Sequence, residues 1–412
     1  MTPMAAAEEN LDDLMTVDQA IALIDALPVT PRTARLPLME AVGLRLAEDI
    51  FADRDYPQFD KSLMDGYAVR SADVSSAAVE LEVIGESAAG QMPDRTVGPG
   101  QAMAIMTGAP VPAGADAVVA IEKTGSKEFA KARERVRILA EVKAGQSVAC
   151  RGSDVKAGTK VLSADDRLNP QSVAVAACVG ATAVLVHDRA HCAVFATGNE
   201  LVAADQSPQI HQLRNSNNPM LVAVLKRHAQ VRDLGIAVDD PAEIAARLQD
   251  ALNDDIVFIT GGMSMGQYDY VPRILREMGG ELLITKLRIK PGKPFMLAKL
   301  PGGKYVVGLP GNPVSAFVCT VRLVLRLVSR MNGVRYADGI FQVLLAEPLP
   351  ANGPREFYLP ASTDGFDYVF PLKPNGSADI FTLAKTNALI IRSANAPAIE
   401  RGRVPVMWLY WK

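Results

Sequence analysis

The chain has 412 residues, 49% of them hydrophobic and 22% charged, a balance that suits a soluble globular protein and a length that exceeds a single ordinary core. A formal net charge of -3 gives no global field that would hold nucleic acid by counterion release. The longest uncharged apolar run, 173–186, contains Gly180 and falls short of the roughly 20 residues that cross a bilayer, so neither nucleic acid nor membrane is expected as a partner.

Four cysteines and four histidines are scattered without the spacing of a metal site or a disulfide scaffold. His187 and His191 have helical spacing but flank Arg189 at an expected loop between strands. Near the N-terminus Glu8, Glu9, Asp12 and Asp13 stand where a secretory signal would be positive and then apolar, so a cytoplasmic location is expected.

Residues 1–15 read as an acidic, alanine-rich tail. Val17, Ala20, Ile21, Ile24 and Leu27 then repeat at helical spacing, and the helix ends near Pro28. From about 36 to 165 short apolar runs at 67–69, 81–84, 102–106, 117–121 and 136–139 are broken by Gly, Pro and Asp, the pattern of a β-rich region. A second helix starts at Pro170, behind Asn169, and stops at Gly180.

Between about 190 and 332 the rhythm changes. Apolar strands at 193–196, 233–238, 256–259 and 306–309 alternate with helices at 219–228, 241–253 and 270–278, which predicts a doubly wound, mostly parallel sheet. Asn218-Pro219 and Asp240-Pro241 each place a capping residue before a proline, and Glu243 completes a capping-box spacing with Asp240. The apolar helix predicted over 313–331 carries Arg322, Arg326 and Arg330 along one face and is expected to close the domain.

After Gly333 short strands return at 341–345, 368–372, 388–391 and 404–409, forming either a small β-barrel or a sandwich. The expected division is a β-rich lobe with a small mixed subdomain and linking helices over 1–189, an α/β domain over 190–333, and a β-domain over 334–412.

In an open parallel sheet, ligands bind beyond the carboxyl ends of the strands. The loops there hold Thr197, Gly198, Asn199 and Glu200; then Asp239 and Asp240; then 260–269; then Pro310, Gly311, Asn312 and Pro313. Gly261, Gly262, Ser264 and Gly266 either cradle an anion with backbone N–H groups or make a plain connection. Glu200, Asp239 and Asp269 on the same rim repel one another unless a cation lies between them, and Mg2+ is the natural mediator. Asp240 reads better as a helix cap, which leaves Asp239 the freer carboxylate.

Lys286, Arg288 and Lys290 alternate along an expected strand, ahead of a proline-stiffened turn with Lys293. On one buried face these charges need anionic company, and the alternative is a solvated edge strand guarded by lysine. The polar turns at 60–69, 105–112 and 151–155 are, by physics alone, only tight turns.

Taken in order, the segments 60–69, 106–112, 151–155, 197–201, 261–269, 290–294 and 308–315 resemble those of the molybdopterin molybdenumtransferases, from about residue 15 to the C-terminus. The resemblance implies a multidomain α/β plus β fold: β-rich N-terminal lobes, a central doubly wound α/β/α molybdopterin-binding domain and a C-terminal small β-barrel. It implies a homodimer that takes adenylylated molybdopterin and molybdate to molybdenum cofactor, releasing AMP with Mg2+ or another divalent cation present.

Carried over by position, the resemblance implies Asp65, Asp269, Lys286 and Lys290 as catalytic residues and Glu200, Asp239 and Asp269 as metal ligands. Thr107, Asp154, Thr197, Gly198, Gly261, Gly262, Ser264, Gly266, Lys293, Pro310, Gly311, Asn312, Pro313 and Ser315 are its expected substrate contacts. Asp65 and Thr107 are expected to reach the cleft of a partner subunit, so that the active site is shared. Transient contact with the molybdopterin-adenylylating protein and with molybdoenzyme acceptors is implied as well.

Two positions depart from the pattern: Asn199 stands where many members carry Asp, removing one possible metal ligand, and Leu63 replaces a smaller residue. A molybdopterin-binding scaffold without turnover is the rival function. The related adenylylating family is a second rival, which shares the glycine loop but lacks the β-rich lobes.

Overall fold

The computed structural model describes residues 11–409 apart from 77, 127, 132, 263–269 and 366. The chain divides into two compact units, one of residues 35–186 and one that joins the residues before 35 to 187–412.

In the first unit, apolar β-branched and alanine-rich runs pair into a five-stranded sheet in the order Ala117–Ala120, Gly66–Val69, Gln101–Ile105, Val79–Ser87 and Arg135–Ile138. Val79–Ser87 and Gln101–Ile105 run parallel and the other pairs antiparallel. All four residues of Gly66–Val69 are buried. A Cβ on Gly66 would come within 1.9 Å of the Val119 carbonyl oxygen, so only glycine lets the two strands approach there.

A separate core in this unit gathers Leu38, Leu46, Ile50, Val184 and Val186 with Ala176 of helix Pro170–Cys178. The helix starts as its sequence predicts: the Asn169 side chain accepts from the Ser172 N–H at 2.9 Å, and the Ser172 hydroxyl accepts from the Asn169 N–H.

The second unit is built on a six-stranded sheet in the order Gln230–Ala237, His191–Thr197, Ile256–Thr260, Lys304–Leu309, Met296–Leu300 and Glu281–Ile284. The first four strands are parallel, Met296–Leu300 runs antiparallel to them, and Glu281–Ile284 runs antiparallel to Met296–Leu300. Alternate residues of one strand serve opposite cores: Cys192 and Val194 pack with helix Asn217–Leu225 and the helix that begins at Pro313, whereas Ala193 and Phe195 pack with helices Pro241–Ala251 and Tyr270–Glu277. The result is the expected three-layered α/β/α arrangement. Val17, Ala20 and Ile24 of helix Val17–Ala26 enter the first of these cores, so this helix shares its packing with the α/β layers.

The two predicted caps part company. The Asp240 carboxylate accepts from the N–H groups of Ala242 and Glu243, each at 3.0 Å, although Glu243 pairs with Arg247 and does not complete a capping box. Asp240→Ala is expected to lower stability by about 1 kcal/mol, read from urea unfolding, with no change in fold. Asn218 is not a cap. The helix begins two residues earlier, at Asn217 after Ser216, and the buried Asn218 amide donates to Asp233 Oδ1 at 2.9 Å and to the Gly235 carbonyl at 3.0 Å, tying the helix to the neighbouring strand.

The predicted helix over 313–331 forms as Pro313–Cys319, a π-helical turn at Thr320–Val324, and Leu325–Met331. Of its arginine stripe, Arg322 and Arg326 are buried and Arg330 is half-buried. Arg322 donates to the Tyr358 hydroxyl at 2.7 Å and pairs with Asp338; Arg326 pairs with Asp338 at 2.6 Å and Asp25 at 2.8 Å; Arg330 donates to the Leu27 carbonyl at 2.6 Å. Three cations on one face thereby join the first helix, the segment after Gly333 and the C-terminal strands.

Those strands close on themselves. Glu356–Thr363, Tyr368–Pro371, Ile340–Leu345, Arg403–Trp408 and Ala388–Arg392 pair in that order, and the last returns to the first, so the barrel forms rather than the sandwich. Glu356–Thr363 has no counterpart among the predicted strands because Pro360 reads as a breaker, yet Pro360 sits in register with Leu389. Ile289–Lys290 adds to the edge of Glu356–Thr363 in parallel. No helix among the described residues is long and apolar enough to cross a membrane.

Candidate active site

A cleft of about 850 Å3 opens in the second unit at the carboxyl ends of the parallel strands. Its walls come from three sources: the loops after His191–Thr197, Ile256–Thr260 and Lys304–Leu309; the turn 290–294; and barrel residues that include Arg355, Phe357 and Ser377. Thr197, Glu200, Gly261, Gly262, Lys290, Lys293, Pro310, Gly311, Asn312 and Ser315, all expected at the site, line it together. Gly198, Asp239, Lys286 and Pro313 are not among its lining residues. Ser264, Gly266 and Asp269 lie outside the described residues.

Glycine is required where the loops cross. Gly261 and Gly262 have φ of +86° and +62°, and a Cβ on them would meet the Thr197 carbonyl oxygen at 2.3 Å and the Thr197 hydroxyl at 2.8 Å. The first two strand ends can therefore touch through bare backbone, which keeps the floor of the cleft open.

The exposed Glu200 carboxylate folds back over Gly198, where an added Cβ would lie 2.7 Å from both its oxygens. Asn199, the departure from the family pattern, has a structural role: its N–H donates to Asp239 Oδ2 at 3.3 Å, and its Oδ1 accepts from the Asp239 N–H at 3.1 Å. This reciprocal pair holds the Asp239 loop against the Glu200 loop. Among the described residues no cluster of three metal-ligating side chains forms.

The basic segment differs in one respect from its sequence reading. Leu287 and Ile289 are buried, whereas Lys286 and Arg288 are half-buried and Lys290 is exposed, so the charges occupy the outer face and not a buried one. Only Ile289–Lys290 is regular strand. The charged ends can stay solvated because the apolar residues between them supply the packing. Lys290 Nζ sits 4.5 Å from the centre of the Phe357 ring, a cation–π contact that positions the ammonium at the cleft. Arg288 instead donates to the Pro354 carbonyl at 2.7 Å.

Arg355, Phe357 and Ser377 were not foreseen. They belong to the barrel, and no spacing in the sequence links them to the strand-end loops. Asn312 Nδ2 donates to the Ser377 hydroxyl at 2.9 Å, and the Val314 N–H donates to the Ser377 carbonyl at 3.1 Å, so the barrel loop is tied to the start of the helix at Pro313. With Lys290, Lys293 and Arg355 the cleft presents three cations, enough to hold a divalent oxyanion and a phosphate.

In the first unit the three ambiguous turns converge. The Asp60 carboxylate accepts from the Arg151 N–H at 2.7 Å, the Asp60 carbonyl from the Val111 N–H at 2.8 Å, and the Ser62 carbonyl from the Gly108 N–H at 2.8 Å. Asp65 Oδ1 accepts from both the N–H and the hydroxyl of Thr107, at 2.7 and 2.8 Å. Asp154 is fixed separately, its N–H donating to the Tyr56 carbonyl at 3.0 Å.

The Thr107 backbone bond, with the hydroxyl bond behind it, lowers the Asp65 pKa below its ordinary 3.8. A group depressed in the folded state stabilises above its unfolded pKa, and that stabilisation is lost as pH falls through the folded value. The Asp65–Thr107 link is thus expected to be ionised and intact at neutral pH. A carbon-13 titration of the Asp65 carboxyl should give a midpoint below the ordinary value, and a midpoint above about 4 would contradict the bond.

Known proteins match nearly the whole of the chain. Residues 15–180 match the family model described as MoeA N-terminal region (domain I and II), 193–330 the probable molybdopterin binding domain, and 342–407 the MoeA C-terminal region (domain IV). A molybdopterin molybdenumtransferase of Nostoc sp. is 34% identical over 98% of this chain and 93% of its own, and one of Staphylococcus epidermidis 32% identical over 95% and 94%. The crystal structure of a molybdopterin biosynthesis MoeA protein from Pyrococcus horikoshii superposes with a TM-score of 0.85 at 27% identity, covering 97% of this chain and all of that one.

Proposed function

The chain belongs to the molybdopterin molybdenumtransferase family, a transferase of molybdenum cofactor biosynthesis that inserts molybdenum, and from this we propose that insertion takes place in the cleft at the carboxyl edge of the α/β sheet. Adenylylated molybdopterin and molybdate are the substrates in this reading, with molybdenum cofactor and AMP the products. One observation carries it: Lys290, Lys293 and Arg355 line the same cleft as the glycine-built strand ends and Glu200.

The residues divide the work by charge. Lys290, held over Phe357, and Lys293 in its rigid turn present fixed cations to the molybdate oxygens, with Arg355 across from the barrel; fixed donors and charges stabilise without reorganising during reaction. Thr197, Gly261 and Gly262 supply the floor against which the pterin and its phosphate lie. No protein nucleophile is needed, because the ligand's own dithiolene sulfurs receive the metal.

We assign a divalent cation, Mg2+ by preference, to Glu200 with Asp239 and Asp269. Glu200 fits this role: an exposed carboxylate at a phosphate site suits an ion that takes one or two carboxylates plus substrate oxygens rather than a complete protein cage. Bound there, the ion would polarise the phosphoanhydride from which AMP departs. Lys286 is assigned a supporting charge beside the cleft.

The turns carrying Asp65, Thr107 and Asp154 serve substrate in a homodimer under this proposal, with Asp65 of the partner subunit and Thr107 of the partner subunit completing each cleft. A cytoplasmic location, and passage of pterin from the adenylylating protein and of cofactor to molybdoenzymes, complete the reading. Incubation with adenylylated molybdopterin, Mg2+ and molybdate tests it. AMP release should require both molybdate and the cation; release indifferent to molybdate, with no active cofactor formed, would overturn it.

A further inference from the structure

Two polar side chains in the floor of the cleft have no role in the chemistry above. Asn217, at the start of helix Asn217–Leu225, is 8% exposed, and Thr260, at the end of strand Ile256–Thr260, is 1% exposed; both line the cleft. Asn217 Nδ2 donates to the Gly311 carbonyl at 2.7 Å. Only the amide nitrogen can donate to a carbonyl, so this bond fixes the orientation of the amide and leaves Oδ1 as a pure acceptor. Neither that Oδ1 nor the Thr260 hydroxyl has a hydrogen-bond partner among the described residues.

The two groups share one face of the sheet. Ile256 and Phe258 pack into the core that contains Leu221 and Leu225 of the Asn217 helix, and the two-residue alternation of a strand puts Thr260 on that same side. The Thr197 hydroxyl also lacks a partner, but Ala193 and Phe195 place it on the opposite face, beside Gly262.

A buried acceptor held in place by its own second bond needs a donor. Molybdate and ionised phosphate offer none, so Asn217 Oδ1 cannot serve the anions that Lys290, Lys293 and Arg355 attract. A nitrogen heterocycle with an exocyclic amino group beside an unprotonated ring nitrogen does match: Asn217 Oδ1 takes an amino N–H, and the Thr260 hydroxyl gives its proton to the ring nitrogen. We propose that Asn217 and Thr260 are the specificity-determining residues that read the heterocyclic edge of the substrate. The proposal rests on the cleft being the substrate site. The edge can come from the pterin, with its 2-amino group beside N1, or from adenine, with its 6-amino group beside N1.

Pterin fluorescence and calorimetric titration test the assignment. Pterin-6-carboxylate is compared with lumazine-6-carboxylate, which replaces the 2-amino donor by oxygen, and AMP with IMP, which replaces the 6-amino donor in the same way. The wild-type protein should prefer the amino member of one pair by about tenfold or more, since a site built around a buried acceptor rejects a ligand that sets a carbonyl oxygen where the amino donor belongs. The preferred pair identifies the ring.

Asn217→Ala should erase that preference, and Thr260→Val, nearly isosteric and expected to fold, should weaken the preferred ligand by about tenfold. If Asn217 only braced the Gly311 loop, its loss would weaken all four probes alike and leave the ratios unchanged. Unchanged ratios, or no preference in the wild type, would overturn the proposal while molybdate-dependent AMP release still upheld the cleft; absence of that release would remove both.

Discussion

Asp338→Ala is expected to cost about 3–5 kcal/mol of unfolding free energy, the largest stability loss predicted for a single side chain here. The Arg322 and Arg326 side chains are each 8% exposed, and Asp338 is the carboxylate they share, 27% exposed itself. Removing it leaves two buried guanidinium groups with reduced compensation, which costs more than the pairing itself contributes. Arg326 keeps Asp25 and Arg322 keeps the Tyr358 hydroxyl, so the loss should fall toward the lower end of that range.

The same cluster explains why the stripe of arginines is compatible with an otherwise apolar helix. Tyr358 donates to Glu356, whose pKa is raised chiefly by burial, and Arg322 bonds Tyr358 from the other side. Asp338→Asn, which retains an acceptor, should recover part of the loss. Urea unfolding of the three proteins measures it, and a loss below about 1 kcal/mol for the alanine variant would show that water already satisfies the arginines.

Lys290→Met should reduce molybdate-dependent AMP release by about 100- to 1,000-fold, the usual consequence of removing one fixed electrostatic donor from a reaction site. Methionine preserves the aliphatic stack on Phe357 while deleting the charge that lies 4.5 Å above the ring. Because the Lys290 side chain is exposed, its loss should leave the unfolding midpoint nearly unchanged, so a fall in activity reports on the site rather than on folding. Lys290→Arg should restore part of the rate, limited by the different reach of the planar group. A change under about threefold for Lys290→Met would remove this residue from the reaction.

The strands and helices of both units were largely legible because their apolar residues repeat with the period of the element they form. The apolar runs 67–69, 102–106 and 256–259 are closed by glycine or polar turns, and they mark the largely buried strands Gly66–Val69, Gln101–Ile105 and Ile256–Thr260. Glu356–Thr363 was hidden by Pro360, which a barrel strand tolerates and a sequence pattern counts as an end. Asn before Pro reads as a cap, but the buried Asn218 side chain instead bridges helix and strand.

The site was readable in part for the same reason. Strand ends announce themselves through glycines and carboxylates, and Thr197, Glu200, Gly261, Gly262 and Asn312 do meet in one cleft. Arg355, Phe357 and Ser377 reach it only because the barrel packs there, a tertiary fact that local spacing does not encode. Alternation along 286–290 correctly separated charged from apolar residues, but it could not say which side is buried. Leu287 and Ile289 settle that, and the lysines face outward.

The claim on which the rest depends is that molybdate is held at this cleft. A crystal of the protein grown with molybdate, measured on both sides of the molybdenum absorption edge, tests it most directly. An anomalous peak is expected within hydrogen-bonding distance of at least two of Lys290, Lys293 and Arg355, and should be lost in Lys290→Met. A peak at full occupancy elsewhere on the chain, with this cleft empty, would contradict it.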